Sequence, residues 1–107
     1  MAERLHVNIV DHPEHHRVEA RTDDGQFAGF SQYYVRDGMY VFFHTEVQEE
    51  FNGQGIGSQI AAGVIEFVRG RGMPIRPECP FIRAYMKKHP EAHDILTPGF
   101  SLDPDPT

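Results

Sequence analysis

The chain has 107 residues, with 10 Lys+Arg against 16 Asp+Glu and a formal net charge of -6 at pH 7. That length suits one domain, since domains run to about 100–150 residues, and it excludes a two-lobed enzyme or a full doubly wound dinucleotide-binding fold. The acidic balance argues against non-specific nucleic-acid binding, which needs a basic face, and no apolar run approaches the roughly 18 residues that cross a membrane.

The first half reads as strands. Leu5, Val7 and Ile9 alternate with His6, Asn8 and Val10, and Asp11-His12-Pro13-Glu14 breaks the pattern. Arg17 to Arg21 alternates again, up to Asp23-Asp24-Gly25, a hairpin signal because Gly accepts the positive φ of such turns. The aromatic-rich stretch Phe27 to Val35 ends at a second Asp-Gly turn, Asp37-Gly38, and Met39 to Val47 follows as a strand of central character. Consecutive strands joined by tight turns predict an antiparallel meander.

From Gly55 the period changes. Ile56, Ile60, Val64, Phe67 and Val68 fall on one helical face, and Gly70, Gly72 and Pro74 end the helix. Pro74 to Glu78 reads as a short fifth strand, irregular or at an edge because its two prolines remove ladder donors. Phe81 to His89 reads as a second helix, with Pro80 suited to its first turn. Residues 1–96 are therefore expected to form one α+β domain: a strand meander, then a β-α-β unit, then a short C-terminal helix. Residues 97–107 have the composition of a loosely held tail.

The most informative segment is Phe51-Asn52-Gly53-Gln54-Gly55-Ile56-Gly57-Ser58, between the fourth strand and the helix. Glycines at alternate positions let a ligand approach the backbone. The free amides and dipole at a helix N-terminus favour an anion, so the loop can cradle a phosphate or pyrophosphate. The plainer alternative is a tight turn with close helix–strand packing. A mononucleotide P-loop needs a Lys after its glycines, which is absent. The dinucleotide pattern Gly-x-Gly-x-x-Gly fails at Ser58 in one frame and at Ile60 in the other, although Glu78 lies where a ribose-binding acid would stand in such a fold.

Asn52-Gly53-Gln54-Gly55-Ile56-Gly57 resembles the pyrophosphate motif of the GNAT superfamily of acetyl-CoA-dependent N-acetyltransferases, Arg/Gln-x-x-Gly-x-Gly/Ala, with Asn52 in place of the usual Arg or Gln. The departure weakens any side-chain charge on the phosphates and leaves the backbone cradle. Three further stretches resemble the small GNAT-like proteins often called the YjdJ type: His44-Thr45-Glu46-Val47, Cys79-Pro80-Phe81, and Tyr85 to Pro90. The likeness covers roughly residues 5 to 95. It implies a coenzyme A site in which the strand end at Glu46-Val47 meets the pantetheine arm and the backbone amides of Gln54 to Ser58 hold the pyrophosphate, with Asn52 and Gly53 also cofactor-binding. The acyl group would then lie where the fourth and fifth strands diverge. Larger members insert helices after the first strand to help build the acceptor site; here a short turn from Asp11 to His16 stands instead, so that insertion is expected to be missing.

Acyl transfer to an amine needs a free nucleophile, a donor to the developing oxyanion and an acid for the leaving thiolate. Cys79, the only cysteine, follows the fifth strand and could take the acyl group or protonate the departing sulfur, or else be a buried inert thiol. His44 and Glu46 share a strand face by period two and could act as a base with its orienting partner, the alternative being an edge histidine. Glu46, Glu49 and Glu50 form an acidic rim suited to a cationic amine. His12, His15 and His16 in a Pro-containing turn read as surface histidines, so no metal is expected. A single cysteine and a polar N-terminus make the cytoplasm the default compartment. The function expected is an acetyl-CoA-dependent N-acyltransferase acting on an amine, small molecule or peptide. Its alternatives are a CoA-binding module without catalysis and a small interaction protein. Oligomeric state is left open.

Overall fold

Two turns set the meander. Asp37 and Gly38 both take positive φ (53° and 76°) in the two-residue loop between the paired residues Arg36 and Met39, the mirror-image turn whose twist matches antiparallel strands. At the other hairpin Gly25 (φ 90°) donates its amide to Thr22 O, and the Thr22 hydroxyl bonds Asp24 and accepts from Gln26 N. The computed structural model describes residues 5–102. Its strands are β1 (Val7–His12), β2 (Arg17–Thr22), β3 (Phe27–Arg36), β4 (Met39–Val47) and β5 (Ile75–Pro77), with helices α1 (Ile56–Arg71) and α2 (Pro80–Lys87).

The five strands form one sheet in the order β1-β2-β3-β4-β5. The first four pair antiparallel with their sequence neighbours; β5 lies parallel to β4 after the α1 crossover, where it pairs with Tyr40, Val41 and Phe42, and Ile75 bridges Leu96 on its other side. The fold is thus α+β, with no helical insertion between β1 and β2 beyond one 3-10 turn at Pro13–His15.

The elements differ from the sequence reading in several places. β1 runs on through Asp11 and His12, which pair with Val18 and Arg17, so the break falls at Pro13, the first residue without an amide. α2 stops at Lys87 rather than His89, because a residue before proline is pushed out of the helical region and His89 adopts φ -131°, ψ 72°. Glu49–Phe51 and Pro90–Ile95 form 3-10 turns with no periodic signal long enough to announce them.

Both helices pack on the same face of the sheet. Ile56, Ile60, Val64 and Val68 of α1 share one core with Ile82 and Met86 of α2 and with Val18, Tyr33, Tyr40, Phe42 and Ile75 of the sheet. Two glycines permit this approach: a Cβ on Gly63 would lie 2.5 Å from Ile9 Cγ1, and one on Gly29 would lie 2.5 Å from the Glu46 carbonyl oxygen. Alternation puts Arg17, Glu19, Arg21, Phe30, Tyr34, Arg76 and Glu78 on the opposite face. There Arg17 lies over the Phe27 and Phe30 rings, and Glu19, 2% exposed, accepts from Arg17 and Arg21.

Of the tail expected from Thr97, residues 103–107 lie outside the described residues. In the described part, Thr97 donates to Ile75 O through both its amide and its hydroxyl, and the Phe100 ring lies under the Arg76 and Arg83 guanidiniums.

Candidate functional site

β4 and β5 part at Phe42. Its carbonyl accepts from the amides of both Glu78 and Cys79, at 2.9 and 3.0 Å, and beyond it β4 continues to Val47 with no backbone partner on the β5 side among the described residues. On the β3 side the register slips at the same point: Tyr33 pairs with Phe42 but Gln32 pairs with His44, leaving Phe43 as an extra residue in a bulge. A bulge bends its strand and re-aims the side chains beyond it. The gap between the two strands therefore opens where a bend and a short proline-bounded strand coincide. The fifth strand was legible as irregular; nothing in the sequence marked the bulge.

At the far end of β4 the chain makes the Glu49–Phe51 turn and enters the glycine loop. Gly53 and Gly55 take φ 81° and 77°, and nothing lies within 4 Å of where a Cβ on Gly53 would stand. Gly55 is the N-cap of α1, no side chain caps the amides that follow, and no acidic residue stands in the first turn. Ile56 is buried and so presents only its amide, while Gly57 and Ser58 lie at the surface of the loop. A helix start with uncapped amides and no local negative charge suits an anion.

The loop is held from behind. Gln59, one residue past it, accepts from Val7 N and donates to Leu5 O, and Gln54 O accepts from Leu5 N, so the first turn of α1 is stitched to the chain entering β1. Gln54 also reaches back to Glu50 O. Asn52 is exposed and closes the 3-10 turn through its own amide. Gln59 carries no sequence signal for this role, which depends on a partner more than fifty residues away. Phe81, at the start of α2, covers Gly57 so closely that a Cβ there would lie 2.3 Å from its ring, yet Phe81 is 42% exposed.

The three candidate catalytic residues are divided between the faces. Cys79 is buried on the helix side, and its thiol donates to Thr45 Oγ1 at 3.3 Å; Thr45 in turn meets the buried Ser31 hydroxyl at 2.9 Å. His44 and Glu46 stand on the opposite face, half exposed and 3.5 Å apart, with His44 against the Phe30 ring at 5.9 Å. The structure thus joins His44 to Glu46 and joins Cys79 to Thr45. Among the described residues no hydrogen bond links Cys79 to His44 or Glu46. Thr45 is the residue that sequence reasoning left without a role, although alternation with His44 and Glu46 already placed it on the other face.

The histidine-rich turn holds a charge network. His12 lies 3.3 Å from Glu14 and 3.4 Å from the buried Glu19, and His16 closes the turn at φ 54°. Burial would raise the Glu19 carboxyl, and hydrogen bonds from Arg21 and Arg17 more than reverse it, holding it below the usual carboxylate range. Among the described residues no three His, Cys, Asp or Glu side chains are grouped to hold a metal. None of the described helices is long and apolar enough to cross a membrane.

A family model for the GCN5-related N-acetyl-transferase matches residues 17–95. Among solved structures, a GCN5-like protein of Staphylococcus aureus determined in solution by NMR shares the fold at a TM-score of 0.62 and 21% identity, with 92% of each chain covered. A comparison with curated protein sequences gives no match.

Proposed function

The chain belongs to the GCN5-related N-acetyl-transferase family, and from that premise we propose that it moves an acyl group, acetyl first among them, from a coenzyme A thioester to an amine. The observation that supports this most directly is the uncapped start of α1 at Gly55, with open space where a side chain at Gly53 would otherwise stand. The thioester supplies the activated acyl carbon. The amides of Ile56, Gly57 and Ser58 would hold its pyrophosphate, and Asn52, Gly53 and Gln54 would form the approach. The backbone at Glu46 and Val47, unpaired on the β5 side, would take the pantetheine arm as a further strand.

In the gap, the backbone amide at the Phe43 bulge would serve as a donor for charge on the acyl oxygen. Thr45 fixes the Cys79 thiol by accepting its proton in a hydrogen bond. Cys79 either takes the acyl group in a first step or gives its proton to the departing sulfur. His44, oriented by Glu46, removes a proton from the incoming amine. The narrower kinship with small YjdJ-type proteins rests on the His44–Val47, Cys79–Phe81 and Tyr85–Pro90 stretches, and a cytoplasmic setting fits the lone unpaired thiol.

A second reading, a CoA-binding module without catalysis, has its own support: Cys79 is 4% exposed, and Thr45 is its only side-chain hydrogen-bond partner among the described residues. Calorimetric titration with acetyl-CoA and CoA, followed by intact-mass analysis of wild type and Cys79→Ala, separates the two. Binding with an acetyl group found on Cys79, or amine acetylation that falls in the Cys79→Ala variant, supports transfer. Binding with neither supports the module, and absence of binding overturns both.

A further inference from the structure

We infer that the acceptor enters on the face of the sheet opposite the helices, through a shallow cleft of about 550 Å³ lined by His16, Gln32, Tyr33, Tyr34, Phe43 and Glu78, and that this cleft takes a primary ammonium carried on an apolar arm. The inference rests on the acyl-transfer reading and gives that reading a substrate class. A depression of this volume is within the usual range for small-molecule sites.

Position comes first. Two walls of the cleft, Phe43 and Glu78, are the chain neighbours of His44 and Cys79, and the two segments meet at the Phe42 carbonyl. Glu78 and Cys79 are consecutive in an extended segment and so point to opposite faces: the carboxylate into the cleft, the thiol into the helix side. A group seated against Glu78 thus reaches the strand gap from one side, while a thioester laid along α1 and the end of β4 reaches it from the other.

The chemistry of the walls selects the group. Phe43 is 44% exposed and tilts against Tyr34 with ring centroids 5.6 Å apart, which offers π-faces to an apolar arm and to a cation. Arg76 Nε occupies Glu78 Oε2 at 2.8 Å, and Oε1 has no partner among the described residues. Arg76 is already held by Oε2 and Arg17 and Arg21 by Glu19, so the free Oε1 beside the two rings is what favours an ammonium over a carboxylate. The ammonium gives one proton to neutral His44, and the freed nitrogen attacks the acyl carbon as the C–N bond forms. The C–S bond breaks, the departing thiolate takes a proton from the Cys79 thiol or from water, and the Cys79 thiolate or hydroxide left behind takes the second proton that the nitrogen sheds as the amide forms.

The test is an amide-resolved NMR titration of the full chain, first with acetyl-CoA, then separately with phenethylamine, phenethyl alcohol and phenylacetate as cationic, neutral and anionic probes of one shape. Phenethylamine is expected to shift the amides of Gln32, Tyr34, Phe43 and Glu78 more than the alcohol does, with phenylacetate leaving them in place. Glu78→Gln should weaken the amine by about tenfold, equivalent to about 1.4 kcal/mol, while acetyl-CoA affinity is unchanged. Equal shifts from all three probes, or amine shifts confined to the helix side, overturn the inference. Acetyl-CoA shifts at Gly53 to Ser58 report on the underlying reading independently, so either can fail alone.

Discussion

On the helix side of the sheet, Tyr33, Phe42, Ile75 and Cys79 are buried against Ile60, Val64, Ile82 and Met86; on the opposite side, the intervening residues Tyr34, Phe43, Arg76 and Glu78 carry charge and half-exposed rings with no helix over them. The first surface is held by close packing and tolerates little change of volume. The second is held by ion pairs and cation–π contacts, individually weak but directional. With only a 3-10 turn between β1 and β2, no helix among the described residues packs on the far face, so Tyr34, Phe43 and Glu78 remain available to solvent or to a ligand.

The sharpest way to break this comparison uses two consecutive residues. Phe42→Ala empties a site with 0% exposure and should cost about 3–5 kcal/mol of unfolding free energy in urea melts. Phe43→Ala, at 44% exposure, should cost less than about 1 kcal/mol. Similar losses would show that the far face is covered in solution.

Next in size is Gly29→Ala. The new methyl would press on the Glu46 backbone carbonyl, which cannot rotate away, and should cost about 1–3 kcal/mol. Because the strain falls on the end of β4, acetyl-CoA affinity should drop with it. A wild-type melting temperature would contradict the close approach of β3 and β4 there.

Glu19 tests the charged face. Its folded carboxyl titrates below the unfolded value, so its contribution is fully present above the unfolded pKa of about 4.3 and is lost as pH falls through the lower folded value. The melting temperature of wild type should fall from about pH 5 toward pH 3 more steeply than that of Glu19→Gln, whose stability at pH 7 should be lower by about 1–2 kcal/mol. Parallel pH curves would remove Glu19 as an organiser of that face.

The smallest stability effect is expected at the loop. Gly57→Ala puts a methyl against the end of the Phe81 ring, which can swing outward, and replaces a helical glycine, so stability should change by no more than about 1 kcal/mol in either direction. The same methyl narrows the proposed pyrophosphate cradle, and CoA affinity should fall by about tenfold or more.

These surfaces were unequally legible in the sequence. Period-two spacing, apolar runs between Asp-Gly turns, the helical spacing of Ile56, Ile60 and Val64, and prolines at the edges of β5 and α2 located the five strands and both helices, because these signals are local to each segment. The glycine loop was readable for the same local reason. The bulge at Phe43, the Gln59 brace and the Cys79–Thr45 contact were not, since each depends on register between segments far apart in the chain. The separation of Cys79 from His44 and Glu46 belongs with them: alternation gave the face of each residue within its own strand, and only the β4–β5 pairing relates the two.

The central claim is that the helix side holds a CoA thioester at the start of α1. A calorimetric titration of acetyl-CoA into wild type and Gly57→Ala, both shown to be folded by melting, tests it most directly. Saturable binding to wild type that weakens by about tenfold in the variant is the predicted result; equal affinities, or no binding to folded wild type, would contradict it.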